Sequence, residues 1–472
     1  MNSKYRLLAS NTTVFAIGNI LVKLISFFLM PLYTTVLTTE QYGVAELLNN
    51  TIEIVLPLAT LCIVEALYRF SIDDNADHGE LFINSLVVII IGDILVGIGS
   101  IIWYLCSKKI YTLHFFLLFV STTFYKLTCQ FARGLGHVRR YAAYGVINSL
   151  VLVTANIFLL VIFKGGIGAY LLSFSIGYGL SGVLALILSK EYRFFAFNKF
   201  KLKTLKEMLM YSLPSIPNML SWWVNSLSDR YIVLLFWGSG VTGLYTAASK
   251  LPAIINLVTS IFQQAWQYST ATEIDSKDNK VFFSNIFRIY SYICVLVCVF
   301  LVSINKLICR ILLQTDFYSS WKFVPLLLLA ATFGCIATYF GTFYNAIKNN
   351  KMLMMSTLIG AVGNIILNLM LIPILGAMGA AVATAISYFV IMIVRMLDVT
   401  RFIDIDINYR RFVFQISLLI ISVALGCFGG RQSIIAPVIC FISVLGSDFQ
   451  LLKSSTTYLI HILNASLRNH HN

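Results

Sequence analysis

The chain has 472 residues, 58% of them hydrophobic and only 11% charged, with a mean hydropathy of +0.84. A soluble protein carries about 25% charged residues, so the composition excludes one and specifies an all-α integral membrane protein. The formal net charge of +14 does not imply a nucleic-acid partner, because its distribution along the chain is that of a membrane topology.

Apolar runs predict about 14 transmembrane helices, at roughly 12–35, 44–67, 82–104, 111–131, 143–163, 167–188, 211–237, 243–268, 283–304, 322–344, 353–373, 377–397, 412–428 and 433–452. No small-residue cleavage site follows the first, so it is expected to stay in the chain. With span ends counted in the adjoining loops, segments on one side hold 23 Lys/Arg and those on the other hold 7. Lys23, Lys126, Arg230 and Lys250 lie within spans. The bias predicts that both termini are cytoplasmic. The densest basic block, Lys190 to Lys206, reads as a linker between halves. The expected organisation is an N-terminal six-helix lobe (1–189), a cytoplasmic linker (190–210), a second six-helix lobe (211–400), and two further helices with a cytoplasmic tail (401–472).

An internal repeat supports the two halves. The hairpin opening at Asn19 has a counterpart 200 residues later, with Gly43 aligned to Gly243. The stretch QFARGLGHVRRYAAYGVINSLVLVTANIF aligns without gaps to TFYNAIKNNKMLMMSTLIGAVGNIILNLM at an offset of 212, which pairs Phe131 with Phe343 and Asn156 with Asn368. Two ordered matches at nearly one offset predict a duplication of about six spans. An even number of spans keeps both copies in one orientation, so the expected axis runs along the membrane normal, with the substrate between the halves.

The charged residues within spans carry the functional reading. Gly238-Ser239-Gly240 is the predicted turn of the hairpin from Leu213 to Tyr268. Asp229 and Arg230 precede Gly240 by 11 and 10 residues, and Lys250 follows it by 10. At about 1.5 Å per residue all three lie about 15 Å from the turn, near the middle of a hydrocarbon core about 30 Å thick. Charges at that depth normally face a water-filled cavity. A structural ion pair between Asp229 and Lys250 is the alternative, and it leaves Arg230 as a surplus positive charge that an anion would meet.

Lys23 lies in the middle of the first span. Glu53 and Asp93 are also near mid-span, as proton carriers, charge partners of Lys23 or structural pairs. Glu65 precedes Arg69 by four residues, the spacing of a helical ion pair. Lys126, near an interface, is expected to snorkel. Trp222 and Trp223 suit either stacking on a sugar ring or anchoring at the interface. No catalytic constellation and no metal-ligand spacing is found, and the nine cysteines read as small core residues.

These residues resemble a known family. Asp229-Arg230-Tyr231-Ile232, Gly243-Leu244-Tyr245 and Lys250-Leu251 are similar to the seventh and eighth helices of bacterial polysaccharide transporters. Asn364, Asn368, Leu371-Ile372-Pro373 and Gly379-Ala380-Ala381 resemble their eleventh and twelfth, and the opening from Asn19 through Pro31-Leu32-Tyr33 to Tyr42-Gly43 resembles their first hairpin. The family is that of the Wzx-like flippases, within the superfamily of multidrug extruders (MATE) and lipid II flippases.

The resemblance implies a MATE-like V of two six-helix lobes plus two C-terminal helices, working by alternating access in a bacterial inner membrane. It also implies a substrate, an undecaprenyl-diphosphate-linked oligosaccharide of the O-antigen (lipopolysaccharide) or capsule type. Membrane lipids, a glycan polymerase and a chain-length regulator are the implied partners. No cofactor is implied, only coupling to an H+ or Na+ gradient. On this reading Lys23, Arg230 and Lys250 bind the diphosphate, and Asp229, Glu53 and Asp93 are charge partners or coupling groups. The competing reading is a cation-coupled antiporter of small solutes, with Glu53, Asp93 and Asp229 as its ion site. An enzyme is the weakest reading, since no loop is long enough for a catalytic domain.

Overall fold

The computed structural model describes Ile25 and residues 27–448, apart from Asp74, Asp275, Lys277, Asp278, Lys348, Asn349 and Gly429. Among the described residues the protein is all-α, with no strand. The chain divides into two units, Met1–Thr246 with Leu312–Phe317, and Ala247–Ile311 with Tyr318–Asn472. The first unit contains α1 (Met30–Val36), α2 (Thr39–Ala59), α3 (Ile63–Ser71), α4 (His78–Ser107), α5 (Tyr111–Gly134), α6 (Val138–Asn156), α7 (Gly166–Leu188), α8 (Leu202–Ser212) and most of α9 (Ser215–Ser249). The second contains α10 (Ala253–Glu273), α11 (Asn279–Ser303), α12 (Asn305–Leu312, its last residue aside), α13 (Val324–Ala346), α14 (Asn350–Leu375), α15 (Ala377–Val399), α16 (Tyr409–Gly426) and α17 (Gln432–Ser447).

Among the described residues ten helices are long and apolar enough to cross a membrane, or eleven if α2 and α3, bent by 67° at their junction, form one span; α17 is apolar but shorter. Of the first predicted span, residues 12–24 and 26 lie outside the described residues. On α4 the residues Ile91, Ile94, Leu95, Ile98, Ile101, Ile102 and Leu105 are all exposed. They recur every three or four positions and make a continuous apolar stripe, which suits lipid and not water.

Local sequence sets the helix ends. Thr38 and Gln41 form a reciprocal capping box at the start of α2: Gln41 N donates to Thr38 Oγ1 and Thr38 N to Gln41 Oε1, each at 3.2 Å. The α2–α3 bend falls just after Pro57, where Leu61 and Cys62 adopt left-handed φ of 51° and 53°. α9 comprises two helical legs joined at the predicted turn, since Gly238 has φ 77° and ψ 178°. Only glycine adopts that backbone readily.

The predicted linker is a built part of the first unit. Met208 of α8 is fully buried against Ile63, Leu67, Leu81, Phe82 and Phe131. Lys199 pairs with the α4 cap Asp77 at 3.0 Å, and Lys201 and Thr204 both bond Glu80. Arg69 pairs with Asp73 at 2.7 Å, four residues after it, whereas the sequence suggested Glu65, four before it.

Helix packing recurs between the units. α7 packs along both α5 and α6, which share a smaller interface, and α15 does the same with α13 and α14. The aligned Asn156 and Asn368 are both fully buried. The second unit adds an aromatic core in which the Trp266 and Tyr339 rings stack at 4.6 Å. Tyr339 also donates to the Phe283 carbonyl at 2.8 Å. In lipid the hydrophobic effect does not drive helices together, so such packing and interhelical hydrogen bonds carry the association.

Candidate substrate site around Arg230

In the first unit α2 and the second leg of α9 cross at two glycines. A Cβ on Gly43 would collide with the Ser239 carbonyl, and one on Gly243 with the Thr39 carbonyl. These are the residues that the 200-residue offset aligns. Their contact brings the backbones close enough for side chains farther along the helices to meet.

The legs of α9 are tied at Asp229. Its Oδ1 accepts from the Arg230 amide at 2.8 Å and its Oδ2 from the Tyr245 hydroxyl at 2.5 Å. Asp229 is buried and Arg230 half-buried. The first leg is also tied to α2. The Tyr231 hydroxyl lies 2.8 Å from Thr51 Oγ1 and donates to the Leu47 carbonyl at 3.3 Å, and Trp223 Nε1 donates to the Asn50 carbonyl at 3.3 Å. The rings of Trp223 and Tyr231 lie 5.1 Å apart. Arg230 is near enough to Tyr42, Tyr231 and Asp229 for its charge to act on each.

Beside Tyr42 lies a group that the sequence reading did not single out. Glu46, 3% exposed, accepts from the Tyr170 hydroxyl at 2.7 Å and the Tyr42 hydroxyl at 3.3 Å. Tyr33 closes the cluster, with its ring 5.0 Å from Tyr170 and 6.2 Å from Tyr42. Asn156, fully buried, sits where α6 passes into a π-helical turn at Ile157–Ile162. Such π-turns are frequent at functional sites. Arg230 therefore adjoins one buried carboxylate, Asp229, and acts together with a second, Glu46, on Tyr42.

The other predicted residues are dispersed. Lys23 and the Trp222 side chain lie outside the described residues. Lys250 is half-buried in the break between α9 and α10 and belongs to the second unit. Glu53 is exposed. Asp93 is half-buried and accepts from Thr123 Oγ1 at 3.0 Å. A second missed group is Arg395, which was counted with the loop beyond its span. It is 8% exposed on α15, and its guanidinium donates to Ser356 Oγ at 2.9 Å, Thr357 Oγ1 at 2.9 Å and the Ala337 carbonyl at 3.1 Å.

Three solved structures are similar to the chain. A lipid II flippase, MurJ, in an inward closed conformation is 15% identical with a TM-score of 0.68, covering 95% of this chain and 100% of that one. An inward-facing multidrug resistance MATE family transporter of the MOP superfamily is 13% identical with a TM-score of 0.61, covering 85% and 96%. A MOP superfamily transporter from Pyrococcus furiosus, described as having a binding pocket of reverse polarity, is 11% identical with a TM-score of 0.57, covering 83% and 95%. The protein therefore has the fold of the MOP superfamily, and these relatives are a flippase and transporters, not enzymes. No curated protein sequence matches it. The model of the family described as polysaccharide biosynthesis protein matches residues 8–267, more than half of the sequence, and the chain belongs to that family.

Proposed function

We infer that the protein is a flippase. It carries an undecaprenyl-diphosphate-linked oligosaccharide repeat unit, of the O-antigen or capsule type, from the cytoplasmic to the periplasmic leaflet of a bacterial inner membrane by alternating access. The observation that carries this reading is Arg230, a guanidinium within an apolar span beside an aspartate whose two oxygens take neutral donors. Arg is suited to a diphosphate because its planar fork binds two oxygens at once. Trp223 precedes Arg230 by seven residues, two helical turns, and so lies on nearly the same face about 10 Å away. That is where sugars attached to the diphosphate would sit. Lys23 and Lys250 join Arg230 on the diphosphate, and Asp229 orients it.

The test is made in cells that depend on this chain for a surface glycan. Arg230→Ala should leave normal amounts of inserted protein, abolish the surface glycan and accumulate its lipid-linked precursor. Normal surface glycan in an Arg230→Ala, Lys250→Ala double variant would reject the reading. Orientation is tested in a version without native cysteines. Ser319→Cys, at an exposed position, should react with an impermeant thiol reagent added outside, while the equally exposed Asn198→Cys should not.

Glu46 favours a second reading, a cation-coupled antiporter of small solutes, because a buried carboxylate held by hydroxyls suits a proton or a small cation. Precursor accumulation without any drug-efflux defect would exclude it.

A further inference from the structure

The connection between α7 and α8 crosses the end of the first unit where α3, α5 and α7 finish and α4, α6 and α8 begin. Contacts with the helix ends fix its depth. The Phe195 ring lies 5.2 Å from Phe82, one turn into α4, and Phe194 lies 5.3 Å from Phe131, near the end of α5. Lys199 and Lys201 are spent on Asp77 and Glu80 at the start of α4. α4 has 30 residues, so it is about 45 Å long, the thickness of a bilayer with its headgroups. Its first turn therefore stands among the headgroups, and the connection beside it lies at the same level. Ile187 and Leu188, exposed on the last turn of α7, lead into it from the lipid-facing span.

The outward side of this connection is apolar and basic together. Tyr192, Phe197, Phe200 and Leu202 are exposed, Phe197 by 64% and Leu202 by 71%. Lys190, Arg193, Lys203 and Lys206 lie among them, all exposed and none in an ion pair among the described residues. Of the two carboxylates in 190–207, Glu191 is buried and Glu207 is exposed at the far end. The segments that meet at this end, 65–80, 126–140 and 190–207, together carry eleven Lys/Arg and seven Asp/Glu. The surplus is thus positive over the whole end and not only along the connection.

The corresponding connection in the second unit, from α15 to α16, has the opposite pattern. Ile403, Ile405 and Ile407 are buried, while Asp404 and Asp406 are exposed. Isoleucines turned in and aspartates turned out suit water. Aromatic rings turned out beside unpaired cations suit a headgroup layer, where aromatic side chains collect and Lys/Arg meet anionic lipid.

We propose that residues 190–206 lie on the membrane as a strap that binds anionic phospholipid. Tyr192, Phe197, Phe200 and Leu202 enter the headgroup layer, and Lys190, Arg193, Lys203 and Lys206 meet its phosphates. The strap is separate from Arg230 and does not depend on the transport reading.

The experiment places a nitroxide label at Asn198→Cys in the full chain without native cysteines, held in lipid nanodiscs. A label at Asp404→Cys, on the water-facing connection, is the reference. With phosphatidylglycerol and phosphatidylcholine in equal amounts, a neutral nickel chelate in the water should reach position 198 several-fold less often than position 404. In phosphatidylcholine alone that protection should weaken, since each cation near an anionic surface contributes about a fivefold preference. Phe197→Ser with Phe200→Ser should remove the protection in either lipid. Arg193→Gln with Lys203→Gln should remove only the part that phosphatidylglycerol adds. None of these four side chains is buried, so the variants lose no core contact. Equal access at 198 and 404 overturns the membrane contact. Protection that is the same with and without phosphatidylglycerol, or that Arg193→Gln with Lys203→Gln leaves unchanged, overturns the anionic partner.

Discussion

Arg230 in the first unit and Arg395 in the second both sit in helices with the composition of a membrane span, yet their surroundings differ in kind. Arg395 donates to two hydroxyls and a carbonyl, all neutral and all in its own unit. Arg230 stands next to a carboxylate, acts with a second one, Glu46, on Tyr42, and is half-buried. Fixed neutral acceptors make a guanidinium into a fastener between helices, the role that polar groups take in a lipid environment. Carboxylates held by tyrosine hydroxyls leave a local field that can change when a proton or an anion arrives. If the proposed function holds, the partners of a charge mark a substrate site better than its place in an apolar helix does.

The largest expected effect lies on the fastening side. Arg395→Ala removes three hydrogen bonds from a charged donor, although the Ser356 and Thr357 hydroxyls keep their bonds to the Leu353 carbonyl, with an expected cost of about 3 kcal/mol. It should lower both accumulation in membranes and the unfolding temperature in detergent. Arg395→Lys should recover little, because an ammonium cannot reproduce the fork. An Arg395→Ala protein that accumulates normally but does not transport would erase the distinction.

Arg230→Ala should show the opposite pattern: a normal unfolding temperature, with substrate affinity reduced by about 1.5–3 kcal/mol, roughly ten- to a hundredfold. Arg230→Lys should fall between the variant and the native protein. Binding of a lipid-linked diphosphate to purified protein measures both.

The comparison extends to carboxylates. Glu46 accepts two hydroxyls, whereas Glu191, in the short turn after α7, is fully buried with neither oxygen partnered among the described residues. Burial pushes Glu191 up to about 9. The folded protein therefore keeps this proton after the unfolded chain, at about 4.3, has lost it. The stability it contributes is fully present below about pH 4 and is lost as pH rises towards 9. Glu191→Gln removes that slope, so its unfolding temperature should gain steadily on the native protein between pH 5 and pH 8. Parallel curves for the two proteins would show that Glu191 is ionised in the fold.

What the sequence could reveal followed from how far apart the cooperating residues lie. The Gly238 turn is local, and its backbone is as expected. The Gly43–Gly243 alignment is a comparison of two local patterns, and the glycines turn out to touch. Glu46 escaped notice because nothing near it in sequence signals burial; its environment depends on Tyr170, 124 residues later. Arg395 lies near a predicted span end, where a basic residue reads as a topology charge, and its acceptors come from α13 and α14. Arg69 had carboxylates four residues to either side, and spacing alone does not choose between them.

The smallest expected effect probes the link between Asp229 and the guanidinium. Tyr245→Phe removes the donor to Asp229 Oδ2 while keeping the ring that fills this buried position. Asp229 then retains the Arg230 amide and, with one oxygen relieved of its neutral donor, attracts the Arg230 side chain more strongly. Losing one such hydrogen bond costs about 1 kcal/mol of stability. If Asp229 tempers Arg230, substrate affinity should also fall a few-fold, because part of the guanidinium's attraction is diverted to its own neighbour. Asp229→Asn in the same background should restore affinity by removing the competing charge. If Tyr245→Phe lowers the unfolding temperature and leaves substrate affinity unchanged, Asp229 only ties the two legs of α9 together. Arg230 would then resemble Arg395 more closely than its surroundings suggest.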